Sequence, residues 1–147
     1  MNSYLPSRYY FSIGGIVALL CLSMASAFAA DPISGYGDVL AALQSEKVVK
    51  VLVDLDRCGT AGTGKAGPPV KAGLVINAFN VVPGKGILFS DIHQTLDSSE
   101  KPITEYIRYD FGKDSELTLT ITQLPADGPS SRDVFVCNVP VAARFVW

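Results

Sequence analysis

The chain contains a single histidine, His93, and Asp91 stands two residues before it. Two residues at this spacing on a β-strand project to the same side. A carboxylate beside an imidazole can orient it for general-base chemistry or join it as a metal ligand. One histidine cannot build a histidine-rich metal cage, and the sequence has no G-x-S-x-G nucleophile motif. We therefore interpret the pair as hydrogen-bonded and structural, and expect no catalytic residue, no metal and no cofactor.

A more polar and aromatic run follows, ITEYIRYDF, over residues 103–111. Tyrosine and arginine are enriched at recognition surfaces, although the same composition also fits an ordinary exposed strand with cross-strand charge pairs. The predicted binding surface combines this run with the earlier pair and consists of Asp91, His93, Glu105, Tyr106, Arg108 and Tyr109. Its partner would be an unknown protein or a small ligand.

A glycine-rich loop over residues 59–69 comes close to a phosphate-binding motif, with Gly59, four further residues, then Gly64 and Lys65. The next position is Ala66, which lacks the hydroxyl group that such motifs use for magnesium. The two prolines at the end of the loop prevent the helix that would cradle a phosphate. We interpret the segment as a surface loop.

The first 29 residues have the layout of a secretory signal peptide. Arg8 precedes an apolar run over residues 11–24, and Ala27 and Ala29 provide the small-residue cleavage site. We expect cleavage after Ala29, with Ala30 as the alternative, and a periplasmic or secreted domain over residues 30–147 that has no membrane contact after cleavage. An uncleaved anchor is the competing interpretation, because the apolar run nearly reaches spanning length.

Two cysteines remain outside this leader, Cys58 and Cys137. An even number of cysteines in an oxidising compartment predicts a disulfide. Closing a loop of about eighty residues would stabilise the fold by about 4.5 kcal/mol in the chain-entropy model. The alternative is two reduced cysteines that pack as small apolar side chains.

Hydrophobic periodicity predicts the helix and strands around these residues. A helical spacing of apolar residues predicts one helix over residues 37–45, with Ser34 as its N-cap, and we expect its apolar face to cover the sheet. Alternation predicts a half-buried strand that ends before Cys58, with its odd-numbered residues facing inward, and a run that is apolar at both parities predicts a central strand over residues 70–82. Further strands are predicted over residues 87–94, 103–111, 117–122, 134–139 and 142–147.

Short turns without intervening helices favour antiparallel pairing of these strands. We therefore predict a mainly β domain, an antiparallel sandwich or partly open barrel of six to seven strands with one N-terminal helix. The length of 147 residues suits one such domain. A net charge of −2 lacks the basic footprint of a nucleic-acid-binding protein.

Three stretches in this order resemble the VirK family of small secreted bacterial proteins: LAALQSEKVVKVLVDLDRC over residues 40–58, ILFSDIHQTLDSSEKPITEYIRY over residues 87–109 and VFVCNVPVAARFVW over residues 134–147. The likeness extends over about residues 36–147. The chain departs from the family pattern in Asn138-Val139-Pro140, where a more glycine-rich approach to the final strand is typical, and in its own loop over residues 59–69.

This resemblance implies an exported protein named from a virulence regulon of plant-associated bacteria, and it carries over no catalytic residue. We thus expect an exported, non-enzymatic, VirK-like binding module with a virulence- or host-associated role. The alternative is a periplasmic enzyme or metal-binding protein that uses Asp91 and His93.

Overall fold

A computed structural model describes residues 35–97 and 99–147 of the chain. The predicted signal peptide lies outside these residues. The prediction of Ser34 as the N-cap is wrong, because the helix is capped by Gly35 and has no side-chain hydrogen bond at its N-terminus. Within them the chain forms one α-helix, one short 3-10 segment (Leu55–Arg57) and nine strands. The helix is α1 (Tyr36–Gln44), and the strands are β1 (Lys50–Asp54), β2 (Gly59–Thr60), β3 (Lys71–Val75), β4 (Asn80–Val82), β5 (Gly86–Leu96), β6 (Pro102–Phe111), β7 (Glu116–Pro125), β8 (Ser131–Asn138) and β9 (Ala143–Val146).

The strands form two antiparallel sheets. One has three strands in the order β3-β1-β9, and the other has six in the order β2-β8-β7-β6-β5-β4. This arrangement is sandwich-like and, in the described part of the chain, includes no closed barrel, so the predicted fold class is confirmed. Nine strands replace the expected six to seven, because short edge strands carry little periodic signal.

The prediction of one central strand over residues 70–82 is wrong. That run contains two short strands, β3 and β4, which lie at the edges of different sheets. The chain passes from one sheet to the other between them, and Ile76 is buried at this crossing. Apolar residues at both odd and even positions therefore mark a segment that crosses between sheets here, and not a strand buried on both faces.

Strand β1 lies in the middle of the three-stranded sheet, between β3 and β9. Its inward side chains are the odd-numbered ones, as alternation predicted, and Val51 and Val53 are buried. Branched side chains pack well on such a pleated surface. Phe145 of β9 lies directly opposite Val51, so the closing strand adds a large aromatic side chain to the same layer.

Cys58 and Cys137 form a disulfide. Cys58 follows the 3-10 segment at the end of β1 and directly precedes β2, whereas Cys137 lies in β8. Since Gly59 pairs with Val136, Cys58 continues the same register opposite Cys137, and the bond ties β8 to the segment through which the chain leaves β1 and enters the six-stranded sheet.

The core lies between the sheets, and α1 packs against it as predicted. The ring of Phe145 lies 4.6 Å from that of Phe111 and 6.4 Å from that of Phe89. Tyr36 of α1 approaches Phe111 at 6.0 Å between ring centroids. Along residues 35–97 and 99–147, no helix is long and apolar enough to cross a membrane.

Candidate binding surface

The six-stranded sheet changes character along its four long strands. Its proximal half contributes Ile87, Phe89 and Phe111 to the core. Its distal half comprises residues 90–96 of β5, 102–108 of β6, 120–125 of β7 and 131–133 of β8. In β5 the change is complete, because every residue from 92 to 96 is exposed and both faces of the strand reach solvent.

A row of polar side chains crosses the inner face of the distal half. His93, Glu105, Gln123 and Ser131 lie directly opposite one another on β5, β6, β7 and β8. His93 Nε2 donates to Glu105 Oε2 at 2.7 Å, and Gln123 Nε2 donates to Glu105 Oε1 at 2.8 Å. Ser131 Oγ donates to Gln123 Oε1 at 3.2 Å. We call these four residues the polar row, and it links four strands through side chains alone.

Asp91 and His93 lie on the same side of β5, as their spacing predicted. Asp91 Oδ2 lies 3.5 Å from His93 Nδ1, while Glu105 Oε2 accepts a hydrogen bond from the other ring nitrogen, Nε2. Both nitrogens of the imidazole therefore face carboxylates, and neither is left to face a substrate. Among the described residues, no group of three or more acidic, histidine or cysteine side chains is arranged to hold a metal ion. This geometry gives no support to the enzyme or metal-binding alternative.

Tyr106 and Arg108 lie on the opposite, outer face of β6, because successive side chains on a strand alternate. Arg108 Nε donates to Asp110 Oδ1 at 2.9 Å on the same strand. Tyr106 is 44% exposed and lies directly opposite Ile92 of β5. The predicted surface is thus two surfaces, a polar inner one and an apolar and aromatic outer one.

Tyr109 does not belong to either surface. It is 3% exposed and stacks on Phe89 at 4.8 Å between ring centroids. Burial raises the pKa of its phenol to about 12, and the nearby charge of Asp91 adds to the shift. The prediction of Tyr109 as a binding-surface residue is corrected on this point, since odd-numbered residues of β6 face the core at this level.

Sequence reasoning missed Gln123, Ser131 and Ile92. The alternation of β7 places Gln123 on the same face as the buried Leu117 and Leu119, so its inward direction could have been read from the sequence. Its position opposite Glu105 could not, because that requires the register between two strands.

A second polar region lies on the outer face of the three-stranded sheet. Leu52 there lies opposite Gly73 of β3 and Arg144 of β9. A side chain at Gly73 would approach Leu52 Cδ2 to 2.9 Å, so glycine leaves room for this leucine. A cleft of about 580 Å³ opens beside it, and Arg57 and Lys71 also line it.

Asp54 and Lys71 form an ion pair at this cleft. Asp54 Oδ2 lies 3.2 Å from Lys71 Nζ, directly across from it on β3. A hydrogen bond between the carboxyl groups of Asp54 and Asp56 lowers the pKa of Asp54 and raises the pKa of Asp56. Asp54 Oδ1 is buried and receives no hydrogen bond from the described residues. The pattern D-x-D-R before Cys58 is the signal that could have marked this region.

The two-sheet antiparallel fold, with a disulfide between Cys58 and Cys137, defines the class of protein. The model for the family described as VirK protein matches residues 32–128, which is more than half of the chain. The chain therefore belongs to the VirK family, as the resemblance implied.

Two relatives come from rhizobial bacteria. An uncharacterised protein in the pinF2 3′ region of Rhizobium radiobacter is 32% identical over 97 residues, which cover 64% of this chain and 67% of that protein. The uncharacterised protein y4wH of Sinorhizobium fredii is 24% identical over 110 residues, covering 73% of this chain and 76% of that protein.

One solved structure has the same fold. The crystal structure of lpg1832, a VirK family protein from Legionella pneumophila, superposes with a TM-score of 0.67 at 16% identity and covers 80% of this chain and all of that one. At this identity the likeness is one of fold.

Proposed function

We propose that this VirK-family chain is an exported, non-enzymatic binding module that acts in the periplasm or outside the cell, in a virulence- or host-associated setting. The observation that carries the proposal is the distal half of the six-stranded sheet. There Ile92 and Leu96 are each 59% exposed beside Tyr106 and Arg108. Exposed aromatic, apolar and arginine side chains together are characteristic of recognition sites.

Two further features support this proposal. A disulfide between buried cysteines is compatible with an oxidising compartment, where such bonds persist. The imidazole of His93 is held between two carboxylates, which suits a structural role better than turnover.

Export is tested by expressing the full chain in a Gram-negative bacterium and measuring intact masses in each fraction. We expect a periplasmic or secreted product that begins at Ala30, and in which Cys58 and Cys137 are alkylated only after reduction. A full-length cytoplasmic product with both thiols open to alkylation would contradict export.

Binding is tested by placing a photoreactive amino acid at position 106 and cross-linking in the producing bacterium and in host extracts. Val75 is the matched control, because it is an exposed apolar residue on an edge strand of the other sheet. We expect a discrete cross-linked product from position 106 and none from position 75. Equal labelling at both positions would argue against a specific surface, and turnover abolished by His93→Ala in a folded variant would argue against a non-enzymatic role.

A further inference from the structure

We propose that the open edge of β5, over residues 90–96, receives an extended peptide segment of a partner protein as an added strand, and that this segment alternates basic and apolar residues. The inference rests on the proposed function, since it names the mode of binding and the chemistry of the partner at the distal half. It concerns the backbone of the β5 edge, which carries Asp91 and His93 of the predicted surface.

The edge is defined by the lengths of the neighbouring strands. On one side β6 pairs with β5 continuously over residues 87–96. On the other side β4 pairs only with residues 86–88. Over residues 90–96, therefore, no strand of the described chain occupies the second side of β5. Unpaired backbone N–H and C=O groups along such an edge are a template for another strand.

This edge has one charged residue, Asp91, and otherwise lacks the usual protection against pairing. Exposed edges are commonly blunted by lysine, proline or a bulge, and residues 90–96, SDIHQTL, contain neither lysine nor proline. By contrast, β3 at the edge of the other sheet carries an exposed lysine, Lys71, and is only five residues long. Asp91 is the charged residue of the β5 edge, and its charge selects among partners.

The two faces of the sheet beside this edge favour different side chains in the added strand. On the inner face Asp91 lies at the edge, with the carboxylate of Glu105 one strand away and His93 between them. On the outer face Ile92 and Leu96 present exposed apolar surface. A strand added here directs alternate residues to each face. A basic residue opposite Asp91 gains from an opposite-charge cross-strand pair, and apolar residues cover Ile92 and Leu96.

The test uses the whole mature protein and a labelled synthetic peptide of alternating valine and lysine, about seven residues long to match the open edge. Fluorescence anisotropy measures binding, and the same peptide with glutamate in place of lysine is the charge control. We expect saturable binding of the lysine peptide and about tenfold weaker binding of the glutamate peptide, since each charge pair contributes a modest amount. Equal affinity for the two would overturn the proposal.

Backbone pairing is tested separately with two peptides that are N-methylated at alternate residues. In an added strand only one set of N–H groups points toward β5. Methylation of one set should abolish binding, while methylation of the other should preserve it. If both peptides bind, or if neither does, strand addition is excluded.

Two variants locate the site. Ile92→Lys should weaken binding at least about tenfold, because it places a charge where the peptide must bury apolar residues. Asp91→Asn should weaken the lysine peptide by about two- to fivefold and reduce its advantage over the glutamate peptide. Val75→Lys makes the same charge change on the β3 edge and should leave affinity unchanged. A loss of affinity in Val75→Lys as large as in Ile92→Lys would place binding elsewhere, and near-ultraviolet circular dichroism confirms that each variant is folded.

Sedimentation of the peptide-free protein tests whether a second copy occupies the edge instead. A dimer that Ile92→Lys dissociates would overturn the peptide proposal in favour of self-pairing, whereas a monomer supports an edge left for a partner. If cross-linking from position 106 captures a partner while the peptides fail, the binding module stands and strand addition does not.

Discussion

The two halves of the six-stranded sheet are built from the same four strands and follow the same alternation, yet their inner faces differ. In the proximal half the inward positions are apolar, and Phe89, Phe111 and Leu117 are buried. In the distal half the inward positions are mixed, because His93, Glu105 and Gln123 are polar while Ile103 and Ile107 are buried.

The difference follows from what each half packs against. Phe145 of the three-stranded sheet and Tyr36 of α1 meet the proximal half, and so does the disulfide. In the distal half, the polar row joins neighbouring strands by hydrogen bonds between side chains. The proximal half therefore supplies most of the stability, because apolar burial dominates folding, and the distal half carries the proposed binding surface.

The largest expected effect concerns the disulfide of the proximal half. Reduction breaks the covalent bond between two cysteines that lie 79 positions apart in the sequence. It should lower the free energy of unfolding by about 4 to 5 kcal/mol in the chain-entropy model. Urea titration of the oxidised protein, and of the same protein kept under reductant, measures this difference with every other atom unchanged.

If the disulfide stabilises the proximal half, reduction should not destabilise the distal half first. Hydrogen exchange of backbone amides in residues 92–96 and 103–107 should change only as far as global unfolding becomes easier. A selective loss of protection there, with the proximal amides unaffected, would show that the disulfide supports the distal half directly.

Alternation of apolar residues was sufficient to predict much of the fold. The inward face of β1 and the helix that covers the core could be derived, because period two and period 3.6 are local properties of a sequence. The disulfide followed from the number of cysteines outside the leader. The prediction of a central strand over residues 70–82 failed for the complementary reason. Whether Ile76 lies inside a strand or at a crossing between sheets depends on partners distant in the sequence.

The candidate surface was only partly predictable for a related reason. The spacing of Asp91 and His93 placed them on one side of a strand, but nothing local distinguishes Glu105 from Tyr109, which share parity on β6. The register with the core decides that Tyr109 is buried while Glu105 joins the polar row. The short length of β4, which opens the edge of β5, is likewise a property of pairing and not of composition.

Tyr109 provides a test of the proximal half at alkaline pH. Its pKa is raised from 10.0 to about 12 by burial, then by the charge of Asp91. The folded state therefore holds the phenol proton more tightly than the unfolded state. The contribution of Tyr109 to the free energy of unfolding is complete below pH 10 and is lost as pH rises toward 12. The loss should approach about 2 to 3 kcal/mol.

Unfolding free energies between pH 9 and pH 12 should fall less steeply in Tyr109→Phe than in the wild type, because phenylalanine keeps the stacking on Phe89 and removes the ionisation. Tyr106→Phe alters an exposed tyrosine on the same strand and should retain the wild-type slope. Parallel slopes for Tyr109→Phe and the wild type would show that the proximal half is open to solvent at this position.

The smallest effect is expected for the polar row. Glu105→Ala removes the acceptor of two hydrogen bonds, from His93 and from Gln123, and should cost about 1 to 2 kcal/mol because the side chain is partly buried. Thr104→Ala is the matched control on the adjacent, outward-facing position, and should change stability by less than about 0.5 kcal/mol.

Hydrogen exchange of Glu105→Ala should show faster opening of the distal amides of β6 and β7, while amides near Phe111 keep their protection. If the loss of protection spreads evenly through both halves, the polar row is part of the core, and the division between a stabilising half and a binding half fails.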